Sequence, residues 1–377
     1  MWSTHALFLV YPNKVLLRRL VPLFHPEMQH RSRIRVLTMK QVLRADAAMA
    51  RAIDRARLGL GMTFPNPIVG AVITSESGEV LSEGFHQGGD HAEVIALNAV
   101  KDMPVGSIIY ISLEPCNHHG KTPPCVDAII KSGIKKVVYA VSDPNPIATG
   151  GAERLRAAGI EVVSGIGEDQ ARLENRAWLT KMELGRPRIT WKIASTMDGK
   201  VAASDGTSKW ITGDLARTNV ARMRSQVDGI VTSTATVIAD DPLLTSKGFG
   251  KNPVRIVMGA TELSAKMQIS NDAAETVLIN SRNFDDLLSL AEERGFNELL
   301  IESGPTFGTA LLRANLIDEI VLFQAPTLLG SGTPSIGDLG ITNISGRLDF
   351  EISDVEVIGS DLKITLFKSA NSTESER

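Results

Sequence analysis

His86-Gln87-Gly88-Gly89-Asp90-His91-Ala92-Glu93, followed after one strand by Leu113-Glu114-Pro115-Cys116-Asn117-His118-His119-Gly120-Lys121-Thr122-Pro123-Pro124-Cys125, is the stretch that decides how this chain reads. A zinc ion takes nitrogen and thiolate ligands in a tetrahedron, and a catalytic zinc keeps its fourth position for water. His91, at the start of a helical pattern, and Cys116 and Cys125, beyond the next strand, supply three such ligands. Glu93 stands two residues after His91, beside the fourth position without occupying it. Water on a metal loses a proton far more easily than free water, and Glu93 is the group to take it. A disulfide or a structural zinc would account for the two cysteines of the sequence, but not for a glutamate two places after a histidine.

His-x-Glu followed by Pro-Cys-x-x-Cys is the pattern of the zinc deaminases, in which the glutamate passes protons to a ring nitrogen and then to the departing ammonia. Here His-Ala-Glu and Pro-Cys are intact, but eight residues separate Cys116 from Cys125. That spacing excludes a one-turn knuckle and requires a long loop to bring Cys125 back to the metal.

Outward from this segment the chain alternates strands and helices. A helix is expected over 41–58, with Ala47, Met49, Ala50, Ile53 and Ala56 at helical spacing. Pro65-Asn66-Pro67 then leads into strands at 68–74 and 80–84. A helix at 91–100, a strand at 107–112, a helix at 126–132, a strand at 136–141, a helix at 152–158 and a strand at 160–163 follow. One helix over 173–184 precedes Gly185-Arg186-Pro187-Arg188, which reads as a domain boundary. Beyond it, strands are expected at 189–194, 229–232, 254–258, 276–279, 298–302, 319–324, 348–358 and 362–368. Helices are expected at 214–226, 284–294 and 307–314. Such alternation predicts α/β layers over mixed sheets.

A chain of 377 residues exceeds what one core supports, so two domains are expected, 40–184 and 187–368, with a disordered tail over 369–377. Its 43% hydrophobic and 22% charged residues are those of a soluble globular protein, and a net charge of -3 gives no case for nucleic acid. No apolar run is long enough to span a bilayer. Residues 1–38 set Lys14, Arg18, Arg19, Arg31, Arg33 and Arg35 against the single acid Glu27. That composition suits a transit peptide, or a start codon placed upstream of translation from near Met39. The second is favoured, because the helical pattern begins directly afterwards, and a cytoplasmic location is then expected.

At these residues the chain resembles the family of bifunctional riboflavin-biosynthesis deaminase/reductases. The resemblance rests on the Pro-Cys-x8-Cys loop with His118, His119, Gly120, Lys121 and Thr122, on Pro65-Asn66-Pro67-x-Val69-Gly70, and on Asp143-Pro144-Asn145-Pro146, and it runs from Arg44 to Lys368. It implies a cytidine-deaminase-like α/β/α domain followed by a dihydrofolate-reductase-like α/β domain. It implies deamination of a diaminopyrimidinone carrying a phosphoribosylamino arm, then reduction of the ribosyl group to ribityl with NADPH. Asn66, His86, Lys121, Asp143 and Asn145 would contact the first substrate: an amide reads a pyrimidine edge, and Lys121 or His86 can meet phosphate. Asn66, Asp143 and Asn145 also suit plain turn formers. One departure is Thr149-Gly150-Gly151-Ala152, a loop one residue shorter than the family's, which puts contacts near Gly150 in question.

The second half has no Gly-x-Gly-x-x-Gly after a strand, so a Rossmann nucleotide site is unsupported. Glu302-Ser303-Gly304-Pro305-Thr306 instead passes from strand to helix through a tight turn, which offers backbone amides to phosphate. Many α/β proteins share such turns. Ala194 to Lys200, Ser208 to Gly213, Thr236 to Pro242 and Ala325 to Gly330 resemble the family's reductase signatures. By that resemblance Ala194, Trp210, Thr236, Asp240, Gly304, Pro305 and Thr306 hold NADPH. Ser208, Arg224, Leu244, Lys247 and Glu302 hold the ribose-phosphate substrate. Trp210 equally suits a core aromatic. Lys247 stands where the family generally has arginine, which loses a bidentate grip but keeps the charge. Thr232 to Thr236 replaces a more glycine-rich turn. No acid for the reductase stands out. A deaminase whose second half only binds nucleotide, and a nucleic-acid-editing deaminase, are the competing readings. The partners expected are small phosphoribosylaminopyrimidines, without nucleic acid or membrane, and a homodimer is a compatible assembly.

Overall fold

The computed structural model describes residues 42–120 and 122–368; the N-terminal extension, the polar tail and Lys121 lie outside the described residues. The first helix among the described residues is α1 (Ala45–Arg57), which buries Ala48, Met49, Ala52, Ile53 and Ala56 on one face and carries Arg55 and Arg57 in its last turn, where cations favour the helix dipole. It lies on β1 (Gly70–Thr74) so closely that a Cβ on Gly70 would stand 2.0 Å from the Ala52 carbonyl oxygen. β2 (Val80–Phe85), α2 (Ala92–Asn98), β3 (Ile108–Leu113), α3 (Cys125–Ser132), β4 (Lys136–Val141), α4 (Gly151–Ala157) and β5 (Glu161–Ser164) follow.

The five strands form one sheet in the order β2-β1-β3-β4-β5, antiparallel between β2, β1 and β3 and parallel from β3 to β5. Alternation along the strands feeds two cores, as period-two side chains must. Ala71, Ile73, Ile109, Ile111 and Val137 face α2, α3 and α4, while Val72, Tyr110, Val138 and Ala140 face α1 and Trp178.

Where one helix was expected over 173–184, the chain forms α5 (Glu168–Glu174) and α6 (Arg176–Leu184), broken at Asn175. The buried Asn175 amide is committed elsewhere: Oδ1 accepts from the Ile68 N–H at 2.9 Å and Nδ2 donates to the Ile68 carbonyl at 2.7 Å.

The second half contains β6 (Arg188–Thr196), β7 (Lys200–Ala202), α7 (Asp214–Arg224), β8 (Gly229–Ser233), α8 (Thr234–Asp240), β9 (Val254–Met258), β10 (Thr276–Ile279) and α9 (Phe284–Arg294). It ends with β11 (Glu298–Ile301), α10 (Pro305–Arg313), β12 (Glu319–Ala325), β13 (Thr333–Pro334), β14 (Phe350–Ile358) and β15 (Asp361–Lys368). Eight of these strands make a sheet ordered β10-β9-β8-β11-β6-β12-β15-β14, parallel up to β12 and antiparallel beyond. α9 and α10 cover one face through Leu287, Ala291 and Leu311, packed on Trp191, Ile256 and Ile301. α10 meets β6 at Gly308, where a Cβ would stand 2.1 Å from the Trp191 ring. α7 packs on the other face against Val321 and Phe323.

The expected turn at Thr232 to Thr236 is instead the entry to α8, which the sequence reading missed. Ser233 caps it, its hydroxyl accepting from the Thr236 N–H, so a threonine-rich stretch of poor intrinsic propensity starts a helix. Among the described residues no helix is long and apolar enough to cross a membrane.

Candidate active sites

Three backbone elements converge on the first site. His91 is the N-cap of α2, Cys125 is the first residue of α3, and Cys116 lies on the loop after β3. His91 Nδ1 stands 3.1 Å from Cys125 Sγ and 3.5 Å from Cys116 Sγ, and the three ligand atoms lie within 4.8 Å of one another. Two ligands of a tetrahedral zinc, one nitrogen and one sulfur, are about 3.5 Å apart, so this donor set fits the ion. Among the described residues no other group of three such side chains is arranged to hold a metal. Both thiols are free and buried. Cys116 is held well below the usual thiol range by its hydrogen bond with Cys125, with His91 helping, while that same bond and burial push Cys125 up. Thr122 Oγ1 stands 3.5 Å from His91 Nε2, on the side of the ring away from the sulfurs.

Glu93, one residue into α2, is 3% exposed. Burial pushes its carboxyl up to about 7, with the Cys116 charge adding to the effect. Its Oε2 is buried without a hydrogen-bond partner. An unsatisfied buried carboxylate oxygen next to a metal-ligating triad is costly unless a reacting group meets it.

His86 and Asn66 meet at the edge of this site. His86 Nδ1 lies 3.1 Å from the Asp90 carbonyl, so it carries the proton, which leaves Nε2 to face the Asn66 amide nitrogen at 3.5 Å. Burial lowers the His86 pKa. Nε2 is then left as an acceptor, and Lys121 lies outside the described residues.

Asp143 Oδ1 accepts from the Asn145 N–H at 2.8 Å, and burial pushes its carboxyl up to about 6. Glu114 joins this loop to the metal loop: Oε2 accepts from the Asp143 N–H at 3.3 Å and Oε1 from the Ala152 N–H at 2.9 Å. Nothing in the local sequence around Glu114 signals this tie, because both of its partners lie far along the chain. The shortened Gly150-Gly151 loop is shaped by contact, since a Cβ on Gly151 would stand 1.9 Å from the Pro115 carbonyl oxygen.

In the second half Arg224, at the end of α7, donates to both oxygens of Glu302, just past β11, at 2.6 and 2.8 Å. Its third link is to the Thr245 carbonyl at 3.1 Å, in the loop carrying Leu244 and Lys247. Lys192, on β6, stands 4.0 Å from Glu302. Burial works against the Glu302 charge, but Arg224, Lys192 and Lys247 outweigh it and hold the carboxyl below its ordinary range. Removing the carboxylate leaves buried cations unpaired, so Glu302→Ala is expected to cost about 3 kcal/mol of stability. Denaturant unfolding measures this, and an unshifted transition would mean the pair is already solvated.

A second cluster joins Thr236 to the strand–helix turn. Thr236 Oγ1 stands 3.1 Å from Ser303 Oγ and accepts from the Gly304 N–H at 3.2 Å, while Pro305 opens α10. This places the Thr236 and Ser303 hydroxyls beside the N-terminal end of α10, where the helix dipole favours negative charge. Lys209, next to Ser208 and Trp210, donates to the Asp240 carbonyl at 2.8 Å and so joins that loop to α8. Trp210 is 69% exposed, with the Arg217 guanidinium 4.6 Å over its ring, so it is no core aromatic. Asp198 was read only as part of a signature. It accepts from the Thr196 hydroxyl at 2.6 Å and the Gly330 N–H at 2.7 Å, folding the loop after β12 toward Ala194 on β6.

Residues 44–141 match the family profile described as the cytidine and deoxycytidylate deaminase zinc-binding region, and residues 187–364 match the RibD C-terminal domain. The riboflavin biosynthesis protein RibD of Mycobacterium tuberculosis is 41% identical over 338 residues, covering 88% of this chain and 99% of that protein. RibD of Escherichia coli is 36% identical over 359 residues, covering 84% and 98%. A crystal structure from Thermotoga maritima, of a diaminohydroxyphosphoribosylaminopyrimidine deaminase/5-amino-6-(5-phosphoribosylamino)uracil reductase, superposes with a TM-score of 0.80 at 33% identity over 86% of this chain and 98% of that one. One from Acinetobacter baumannii RibD gives 0.79 at 34% identity over the same shares. With the zinc triad and the reductase sheet on one polypeptide, this chain belongs to the RibD family of bifunctional riboflavin-biosynthesis enzymes, which join a zinc deaminase to an NADPH-dependent reductase.

Proposed function

We propose that residues 40–184 deaminate 2,5-diamino-6-(5-phosphoribosylamino)pyrimidin-4(3H)-one and that residues 187–368 reduce the ribosyl group of the resulting 5-amino-6-(5-phosphoribosylamino)uracil to ribityl. The observation that carries this reading is the unpartnered Glu93 carboxylate oxygen beside the His91, Cys116 and Cys125 ligand atoms. Zinc held there supplies a Lewis acid that lowers the pKa of water. Glu93 accepts the proton of the attacking water and passes it to the ring nitrogen, then takes the second proton from the hydroxyl left on the ring carbon and delivers it to the amino group, which leaves as ammonia as the carbonyl forms. Asn66, steadied by His86 Nε2, reads the pyrimidine edge, and Lys121 meets the phosphate. Asp143 and Asn145 bound the same site across the Glu114-tied loop.

In the reductase, bound NADPH would supply a hydride to the opened ribose aldehyde, whose oxygen takes its proton from water or a nearby acid. Thr236, Gly304, Pro305 and Thr306 seat its phosphates, and Ala194, Trp210 and Asp240 hold the rest of the cofactor. Ser208, Leu244 and Lys247 join Arg224 and Glu302 in holding the ribose phosphate. The Arg224–Glu302 pair opens to release guanidinium donors to the phosphate, or holds the ribose hydroxyls through the carboxylate.

Ammonia release and NADPH absorbance followed together on the diaminopyrimidinone test the reading. Ammonia first and NADPH loss afterwards is the expected order; ammonia with level NADPH would defeat the reductase assignment. The enzyme is proposed to work in the cytoplasm, where two free thiols stay reduced, and without nucleic acid. A homodimer through the edge strand β14 fits its exposed Ile352, Val355 and Val357. Light scattering giving twice the chain mass is the expected result.

A further inference from the structure

Asn66 sits at the end of a short loop, residues 61–66, that makes several contacts with the reductase half. The Asn66 N–H donates to the Thr63 carbonyl at 2.9 Å and the Thr63 hydroxyl donates to the Asn66 carbonyl at 3.1 Å, so residues 63–66 move as one turn. Phe64 packs edge-on against Phe296 with ring centroids 6.1 Å apart, and Lys251 Nζ stands 4.2 Å over the Phe64 ring. Asn297 Nδ2 donates to the Pro65 carbonyl at 3.3 Å. Gly61, at φ +74°, presses on the end of α7: a Cβ there would stand 2.1 Å from the Ser225 carbonyl oxygen. The turn bearing Phe296 and Asn297 is itself held by Asp228 Oδ2, which accepts from the Asn297 N–H at 2.6 Å and the Glu298 N–H at 3.1 Å.

A cavity of about 50 Å³, lined by Thr63, Asn66, Asn175, Asp228 and Asn297, underlies the loop. The loop is held against the reductase half by these hydrogen bonds together with the packing of Phe64 on that half's core, and its height over the deaminase site follows the reductase surface. The same reductase elements carry the second site. Ser225 follows Arg224, and β11 runs from the Asn297 turn straight to Glu302, whose pair with Arg224 closes the circuit.

We propose that the reductase half is a structural part of the deaminase site, with Asn297 and the Gly61–Ser225 contact as positioning elements that set Asn66 against the pyrimidine. This rests on the reading of Asn66 as a substrate contact. A residue held a fraction of an ångström from its working position loses substrate affinity before it loses chemistry, because Glu93 and the zinc ligands stand on separate elements, α2, α3 and the loop after β3.

The test uses the full zinc-loaded chain and four variants: Asn297→Ala, Gly61→Ala, Asn66→Ala and Gly78→Ala. Gly78, at φ +88° with a Cβ position 2.2 Å from the Leu43 carbonyl oxygen, carries a similar backbone clash away from the loop and controls for general destabilisation. Asn297→Ala and Gly61→Ala are expected to raise KM for the diaminopyrimidinone about tenfold with kcat within twofold, one zinc per chain retained, and NADPH oxidation on the deaminated intermediate unchanged for Asn297→Ala. Gly78→Ala is expected to leave KM unchanged. If Asn66→Ala raises KM but the first two variants do not, the positioning role is overturned while the site reading stands. If Asn66→Ala itself leaves KM unchanged, the site reading fails and takes this proposal with it. Equal KM rises in Gly78→Ala and Gly61→Ala, with none in Asn297→Ala, also overturn it.

Discussion

Replacing Glu93 with glutamine is expected to lower ammonia release about 10³-fold while the protein keeps its zinc and its NADPH-dependent activity on the deaminated intermediate. Glutamine preserves the volume at a site that is 3% exposed, so α2 and its core contacts with Ala71 and Ile73 stay in place. What it removes is a group that can hold a proton at one stage and release it at the next. Burial already places this carboxyl at about 7, between the two duties near neutral pH, and the charge of a bound zinc acts in the opposite direction to keep it ionised as a base. Ammonia release within tenfold of the parent protein, measured at several pH values, would show that another group moves the protons.

The second large effect is expected from Cys125→Ser. The thiolate is replaced by a hydroxyl that binds zinc poorly, so metal content should fall well below one per chain and ammonia release should reach background. A chelator should do the same to the parent protein, reversibly on adding zinc, whereas added zinc should restore nothing in the variant. The reductase reaction should continue in both cases, because no ligand atom of the triad lies on its sheet. Elemental analysis beside the two assays makes the comparison; a variant with one zinc and full ammonia release would remove Cys125 from the ligand set.

The zinc triad was legible in the sequence because metal chemistry restricts the residue types, and three ligand residues with a glutamate two positions from one of them leave few other meanings. The strands were legible wherever apolar runs were bounded by turn residues, as at Val254–Met258 and Thr276–Ile279, which stand where the pattern put them. Features set by distant partners were not. The break at Asn175 depends on Ile68, 107 residues earlier, and nothing in the local helical pattern announces it. α8 depends on one serine hydroxyl turned back onto Thr236. The Arg224–Glu302 pair joins two residues that the motifs had assigned separately to substrate, and its existence is a property of the folded sheet edge. Trp210 was ambiguous because an indole has the same composition whether it fills a core or lines a surface, and only its 69% exposure distinguishes them.

The contact at Gly308 reaches further than its place in the core suggests. With no methyl between α10 and the Trp191 ring, the helix lies flush on β6, and its first turn at Gly304 comes down level with the Thr236 hydroxyl. One absent side chain thus works as a depth gauge for the helix, and through it for the proposed phosphate seat. Any residue that lifted α10 would tilt its leading amides away from Thr236. Setting the height of that first turn and repacking the hydrophobic interior are, at this position, the same act.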